Sequence, residues 1–157
     1  MGDITANRSK LLLFFRIYCV ILLLLLFGRF PEEIESTYRE QIMGRINLEP
    51  LESIRVYLLL LKRRAEGALF RYAALNLFGN LLLLLPMGCF LPSLWKWFRK
   101  LHRVVIVFLP VLCAVECLQL VLRLGSFDVD DILLNVLGLI LGYVIYLIRR
   151  PKSENLK

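Results

Sequence analysis

Histidine is nearly absent from this chain, which has only His102 among its 157 residues. Because His102 lies in a basic turn, neither metal ligation nor acid–base catalysis by histidine is expected. The four cysteines, Cys19, Cys89, Cys113 and Cys117, lie in apolar runs and form no CxxC pair, which is typical of small packing residues. The sequence also lacks a glycine-rich phosphate loop, an internal repeat and a low-complexity linker.

Charged residues are scarce as well. They make up 21% of the chain, whereas hydrophobic residues make up 59% and the mean hydropathy is +0.68. Because a soluble domain of this length cannot bury so much apolar surface, an ordinary soluble enzyme, a disordered chain and a secreted disulfide scaffold are excluded. The net charge of +7 is first a topology signal, and no basic patch interleaved with aromatic residues indicates nucleic-acid binding. We expect one transmembrane domain over residues 1–157.

Long apolar runs are what the sequence has in abundance. A helix needs about 20 mainly apolar residues to span a membrane. Four runs qualify, at about 11–30, 72–91, 104–122 and 129–148. The first is long, and no small-x-small cleavage site follows it, so it is interpreted as a retained helix rather than a signal peptide. The predicted fold is an all-α membrane protein, a bundle of four transmembrane helices.

The segment between the first two spans, residues 31–71, is the longest stretch outside the membrane. Leu51, Ile54, Leu58 and Leu61 recur there at helical spacing, in a run too short to span. We predict a helix that begins after Pro50. It is either an interfacial or re-entrant helix in the outer loop or a fifth packed segment of the bundle.

The distribution of Lys and Arg predicts the orientation. If the N-terminus is cytoplasmic, the inner segments 1–10, 92–103 and 149–157 hold ten basic and two acidic residues. The outer segments 31–71 and 123–128 then hold eight of each, although Lys62, Arg63 and Arg64 favour the opposite orientation. Because basic residues concentrate in cytoplasmic loops, we predict a multi-pass cell-membrane protein with both termini cytoplasmic.

Polar residues within the spans are confined to one level. Ionisable and amide side chains are costly in a membrane, so they are functional candidates. In antiparallel spans, the start of the second, the end of the third and the start of the fourth lie at the same face. The candidate ligand-binding residues at that face, with one from the adjoining loop, are Asn47, Asn76, Asn80, Glu116, Gln119, Arg123, Asp128, Asp131 and Asn135. They predict a polar pocket in the extracytoplasmic leaflet.

Structural roles are the alternative for these side chains. Asn and Gln can bridge helices. Asp128 can cap the fourth helix, with Asp130 and Asp131 favouring its dipole. Arg123 can pair with Glu116. These roles explain Glu116 least well, because it lies nearly two turns inside the third span.

Small residues and prolines accompany the polar set. Gly138 and Gly142 form a GxxxG pattern in the fourth span, which allows close approach of another helix. Pro86 and Pro110 remove helix hydrogen bonds and are expected to kink the second and third spans.

Several ordered motifs resemble the VanZ-like family of bacterial integral membrane proteins. They are Arg45-Ile46-Asn47-Leu48-Glu49-Pro50-Leu51, Asn76-Leu77-Phe78-Gly79-Asn80, Leu85-Pro86-Met87-Gly88, Glu116-Cys117-Leu118-Gln119, and the series Arg123, Gly125, Phe127, Asp128, Asp130, Asp131, Asn135, Gly138 and Gly142. The resemblance covers about residues 45–148, with Leu51 and Met87 as departures. It implies a connection with low-level glycopeptide (teicoplanin) resistance, the trait for which the family is named, but no particular mechanism.

Three functions are compatible with this pattern. The first is a binding module whose pocket holds a polar head group, from a glycopeptide or a lipid-linked envelope precursor, and contributes to teicoplanin resistance or envelope homeostasis. The second is an intramembrane enzyme acting on a lipid-linked substrate, with Glu116 as general base and a divalent cation on Asp128, Asp130 and Asp131. The third is a proton- or ion-coupled transporter. Membrane lipid is an expected partner, nucleic acid is not, and no cofactor other than that cation is expected.

Overall fold

The computed structural model describes residues 2–28, 44–63 and 67–149, with side chains from residue 8 onward. Four helical segments are long and apolar enough to cross a membrane, as the sequence predicts. They are Arg8–Phe27, Ala68–Leu94, Leu101–Val121 and Val129–Arg149. The elements in chain order are α1 (Gly2–Phe27), β1 (Ile46–Asn47), α2 (Glu52–Lys62), α3 (Ala68–Leu83), α4 (Leu85–Leu94), a 3₁₀ helix (Lys96–Arg99), α5 (Leu101–Val121), β2 (Phe127–Asp128) and α6 (Val129–Arg149). The predicted end of the first span, at residues 29–30, lies outside the described residues.

The second span is two helices rather than one. α3 ends at Leu83 and α4 begins at Leu85, with the Leu84 backbone between them at φ −99° and ψ 0°. Pro86 lies in the first turn of α4, where its missing N–H costs nothing. Pro110 lies inside α5 without ending it. The sequence predicts a proline kink in both spans. The structure shows a break in the second span, at Leu84, and a continuous helix through Pro110 in the third.

α6 is the helix against which α3 and α4 pack. A Cβ atom added at Gly138 would lie 2.1 Å from the Leu81 carbonyl oxygen, and one added at Gly142 would lie 2.0 Å from that of Leu85. Gly88 of α4 is equally close to the Leu139 carbonyl, at 2.1 Å. The GxxxG pattern thus lets backbone meet backbone, and α3–α4 runs in the same direction as α6.

α1 lies at the periphery. Only 6% of the residues in its most apolar stretch are buried, against 44% in α6. Its inner face is aromatic, and the Phe15 ring packs edge-on against Phe90 and Trp95. The Tyr18 hydroxyl donates a 2.7 Å hydrogen bond to the carbonyl of Leu83, in the last turn of α3, where helix carbonyls lack partners within the helix.

The bundle has two chemically different ends. α6 begins at what we call the polar end, where α3 also begins and where α1 and α5 end. α6 finishes at what we call the basic end, which contains the 3₁₀ helix. Trp97 and Arg103 of the basic end stack with the guanidinium carbon 5.2 Å from the ring centre, a cation–π contact typical of interfacial residues.

Residues 44–63 pack on the polar end. β1 and β2 form a two-residue parallel pair, with Asn47 opposite Asp128. α2 begins after Pro50 as predicted, but its packed face differs from the predicted leucine face. Tyr57 is buried with Ile54 and Leu61 against α3 and α6, whereas Leu58 is 52% exposed. The face shifts because the aromatic ring, not the leucine row, fills the space beside Ala73 and Leu77.

The orientation of this fold in the membrane stays a prediction with a direct test. In a variant without native cysteines, we introduce Glu49→Cys at the polar end or Lys96→Cys at the basic end, two exposed positions. If the termini are cytoplasmic, an impermeant thiol reagent applied to intact cells labels the first variant and not the second. The reverse pattern would contradict the orientation inferred from basic residues.

Candidate functional site

Asp128 links residues 44–63 to the first turn of α6. One carboxylate oxygen accepts the N–H of Asp130 at 2.9 Å, which caps α6. The other accepts the Ser53 hydroxyl at 2.5 Å, and Ser53 in turn accepts the Asn47 side-chain amide at 3.0 Å. Asn47 also accepts the N–H of Glu49 at 3.0 Å, a local turn. These bonds fix the strand pair against the helix.

Asp130 holds the start of α2. Its side chain is fully buried, and its two oxygens accept the backbone N–H groups of Leu51 at 2.6 Å and Ile54 at 3.0 Å. Leu51, the residue before α2, has a left-handed backbone with φ 69° and provides no side-chain cap. Asp130 therefore replaces the missing cap from another part of the chain. We call Asn47, Ser53, Asp128 and Asp130 the loop anchor.

The loop anchor differs from the metal site considered above. Both Asp130 oxygens already accept N–H groups at the start of α2, which gives this carboxylate a structural role. Across residues 2–28, 44–63 and 67–149, no three His, Cys, Asp or Glu side chains group as a metal site. Asp128, Asp130 and Asp131 thus point to different partners, although they are adjacent in sequence.

A cavity of about 810 Å³ opens beside the loop anchor. It lies between α1, α3, α5 and α6 at the polar end, and we call it the polar cavity. Its apolar wall includes Ile21, Leu22 and Leu25 of α1. Its polar lining consists of Tyr18, Arg45, Tyr72, Asn76, Asn80, Glu116, Gln119, Ser126, Asp131 and Asn135. Six of the nine predicted ligand-binding residues line it: Asn76, Asn80, Glu116, Gln119, Asp131 and Asn135.

Two carboxylates lie close together in this cavity. Glu116 is only 5% exposed, accepts the backbone N–H of Asp128 and interacts electrostatically with Asp131. One Asp131 oxygen accepts the Asn80 amide at 2.5 Å. Packed acidic groups repel each other when both are ionised, and a hydrogen-bond donor between them relieves that repulsion. The pair therefore favours a cation or a proton donor as its neighbour.

Asn135 presents a buried acceptor to the same cavity. Its side chain is 3% exposed, and its amide nitrogen donates to the Asp131 carbonyl one turn earlier at 2.8 Å. Its side-chain oxygen has no hydrogen-bond partner within the part of the chain that the structure describes. A buried acceptor left in this state costs about 1–3 kcal/mol. The cavity thus contains a site for a donor group.

The other amides take part in helix contacts. Gln119 donates to the Leu26 carbonyl at 2.9 Å, which attaches the end of α1 to α5. Asn76 donates to the Tyr72 carbonyl of its own helix at 2.8 Å. Both still line the polar cavity, so a hydrogen bond to a helix carbonyl is compatible with facing the cavity.

Tyr57 of α2 lies just behind the cavity. Burial, followed by the neighbouring Tyr72 and the carboxylates Asp131 and Asp128, raises the pKa of its hydroxyl. The rings of Tyr57 and Tyr72 meet edge-on at 5.9 Å. Tyr57 therefore stays a neutral donor at every physiological pH, and it adds no negative charge to the pair of carboxylates.

The structure separates the predicted site residues in ways that the sequence does not show. Asn47 and Asp128 belong to the loop anchor, and Arg123 lies in the turn after α5 with a left-handed φ of 58°, outside the cavity lining. Arg45 and Tyr72 line the cavity but are absent from the predicted set. Tyr72 lies one turn before Asn76, and Arg45 opens the Asn47 motif, so both carried a local signal. Tyr18 carried none, because no sequence pattern places α1 against α3.

Comparison with known proteins identifies a family. The family model described as VanZ/LLP1 matches residues 15–150, which is most of the chain. No curated protein and no solved structure matches it. The matched segment contains the loop anchor and every residue of the polar cavity.

Proposed function

The chain belongs to the VanZ/LLP1 family, and from this premise we propose that it is a membrane protein whose polar cavity binds the head group of an amphiphilic compound of the cell envelope. The glycopeptide teicoplanin, which joins sugars and an amine to an acyl chain, has this chemistry. A lipid-linked envelope precursor has it too. Binding of either at the extracytoplasmic face would contribute to teicoplanin resistance or envelope homeostasis.

The observation that carries this proposal is the surplus of acceptors in the cavity. Glu116 and Asp131 supply carboxylates, and the side-chain oxygen of Asn135 is buried and without a partner in the described part of the chain. Hydrogen bonds to charged groups are about twice as strong as neutral ones. An ammonium group on the ligand would donate to the Asn135 oxygen and be attracted by the two carboxylates.

The walls of the cavity favour an amphiphile over a free sugar or amine. Ile21, Leu22 and Leu25 of the loosely packed α1 form one side, next to the lipid. A ligand can therefore enter sideways from the bilayer and leave its hydrocarbon chain there. Binding sites that combine apolar walls with a few oriented polar groups are the usual form of ligand pockets.

Drug susceptibility tests this proposal directly. The chain is expressed in a teicoplanin-sensitive Gram-positive host, and teicoplanin, vancomycin and unrelated envelope antibiotics are compared. We expect the protein to raise the inhibitory concentration of teicoplanin, which has an acyl chain, more than that of vancomycin, which has none. An equal rise for every antibiotic, or no rise for teicoplanin, would contradict glycopeptide binding.

An intramembrane enzyme is the second candidate, favoured by the adjacent carboxylates. One of the pair could accept a proton while the other stabilises the charge that develops. Incubating the purified protein with a lipid-linked precursor and measuring the mass of the lipid separates the two candidates. A binding module leaves that mass unchanged.

A further inference from the structure

A second cavity lies at the basic end of the bundle. Its volume is about 630 Å³, and residues of α1, α4, the 3₁₀ helix and α6 line it. Leu11, Leu85, Phe90 and Ile145 make most of its wall apolar. The polar cavity and this one share only Pro86 among their lining residues. The second cavity is therefore a separate candidate site.

The polar lining of the second cavity carries positive charge. Arg99 and Arg149 line it together with Ser93 and Tyr146. Arg149 is close enough to Cys89 in the same lining to interact with its sulfur electrostatically. The Tyr143 hydroxyl donates to the backbone carbonyl of Arg99, which fixes the 3₁₀ helix at the end of α6. Residues 92–103 and 145–149 contain no acidic residue.

Tyr146 supplies the observation that indicates a ligand. The residue is only 8% exposed and lines the cavity, and its hydroxyl is buried without a hydrogen-bond partner among residues 2–28, 44–63 and 67–149. Tyrosine hydroxyls usually find a partner when they are buried. This hydroxyl lies in a lining that also contains two guanidinium groups, so the expected partner is an anionic oxygen.

We propose that the second cavity binds an anionic phospholipid. Its phosphate accepts hydrogen bonds from Arg99, Arg149 and the Tyr146 hydroxyl, and an acyl chain lies along the apolar wall beside α1. Guanidinium groups suit phosphate because they present several donors in one plane. A lipid fits better than a free ion because the charged groups lie at the end of the bundle and most of the remaining lining is apolar.

Lipid binding to the purified full-length protein tests the proposal. Native mass spectrometry in detergent counts bound phosphatidylglycerol, with phosphatidylcholine and inorganic phosphate as the comparison probes. We expect wild-type protein to retain phosphatidylglycerol preferentially. In Arg99→Gln/Arg149→Gln the apparent affinity should fall by about tenfold or more, because each charge-assisted hydrogen bond contributes that much.

Two further variants keep the test decisive. Lys96→Gln removes one exposed charge at the same end outside the cavity lining, so it should retain the lipid. Tyr146→Phe removes only a hydroxyl without a partner in the described structure, so it should weaken lipid binding without lowering the thermal stability of the lipid-free protein. Equal losses of lipid in Lys96→Gln and in the double variant Arg99→Gln/Arg149→Gln, or full competition by inorganic phosphate, would overturn the proposal.

Discussion

Glu116→Gln is expected to remove ligand binding and any resistance phenotype while leaving the protein folded in the membrane. Glutamine keeps the shape of the side chain, and its oxygen can still accept the backbone N–H of Asp128. It removes the ionisable carboxyl group, and with it the charge-assisted hydrogen bond that the carboxylate would make to a ligand donor. Such a bond contributes about 1.5–3 kcal/mol, so ligand affinity should fall by about 10- to 100-fold.

The same substitution should not lower stability, because it ends the repulsion between Glu116 and Asp131. Membrane abundance, thermal unfolding in detergent and teicoplanin susceptibility are measured together. Glu49→Gln is the matched control, because Glu49 is exposed and outside the cavity lining. A retained phenotype at normal abundance would show that Glu116 is not a binding residue, and a loss of abundance would assign it a structural role.

A single methyl group at Gly142 is expected to prevent native packing of the bundle. The Cβ atom of Gly142→Ala would lie 2.0 Å from the Leu85 carbonyl oxygen and 3.1 Å from the Cα atom of Gly88. Both obstacles are backbone atoms, which no side-chain rotation can move. Overpacking of this kind costs about 3 kcal/mol or more, and the gain in helix propensity from glycine to alanine, about 1 kcal/mol, does not offset it.

Gly79→Ala provides the stability control, because a Cβ atom at Gly79 meets nothing within 4 Å. It should unfold at the same temperature as the wild type or higher, whereas Gly142→Ala should unfold at a lower temperature or fail to accumulate. Thermal unfolding followed by size-exclusion chromatography in detergent measures both. Equal stability of the two alanine variants would show that α6 does not pack on α4 through this glycine.

Hydropathy and glycine spacing suffice to predict the bundle, because each acts through a short stretch of chain. Four apolar runs define the spans, and Gly138 and Gly142 define the face on which α6 packs. The break at Leu84 is harder to predict, because Pro86 and Pro110 both lie within long apolar runs of the sequence. Only their surroundings decide that the first lies at a helix start and the second inside a helix.

The sequence predicts at which end of the bundle the polar residues lie, but not which partner each of them has. Alternation of antiparallel spans is enough to bring the carboxylates and amides to one end. It cannot assign partners to three aspartates within four residues. Asp130 binds backbone N–H groups 76 and 79 residues away, while Asp131 binds Asn80 and lines the cavity. Asp130 and Asp131 are adjacent on α6 and therefore face different directions. Long-range packing determines which neighbour each of them meets.

The contact of Asp130 with the start of α2 also sets an order of events during biosynthesis. Leu51 and Ile54 leave the ribosome before Asp130 does, by 79 and 76 residues. At about 5–20 residues per second, that interval lasts roughly 4–15 s. During it, the second and third spans are synthesised, but the chain still lacks the carboxylate that caps α2. The start of α2 can be capped only once α6 begins to emerge, so a helix translated after the first three spans completes the polar end.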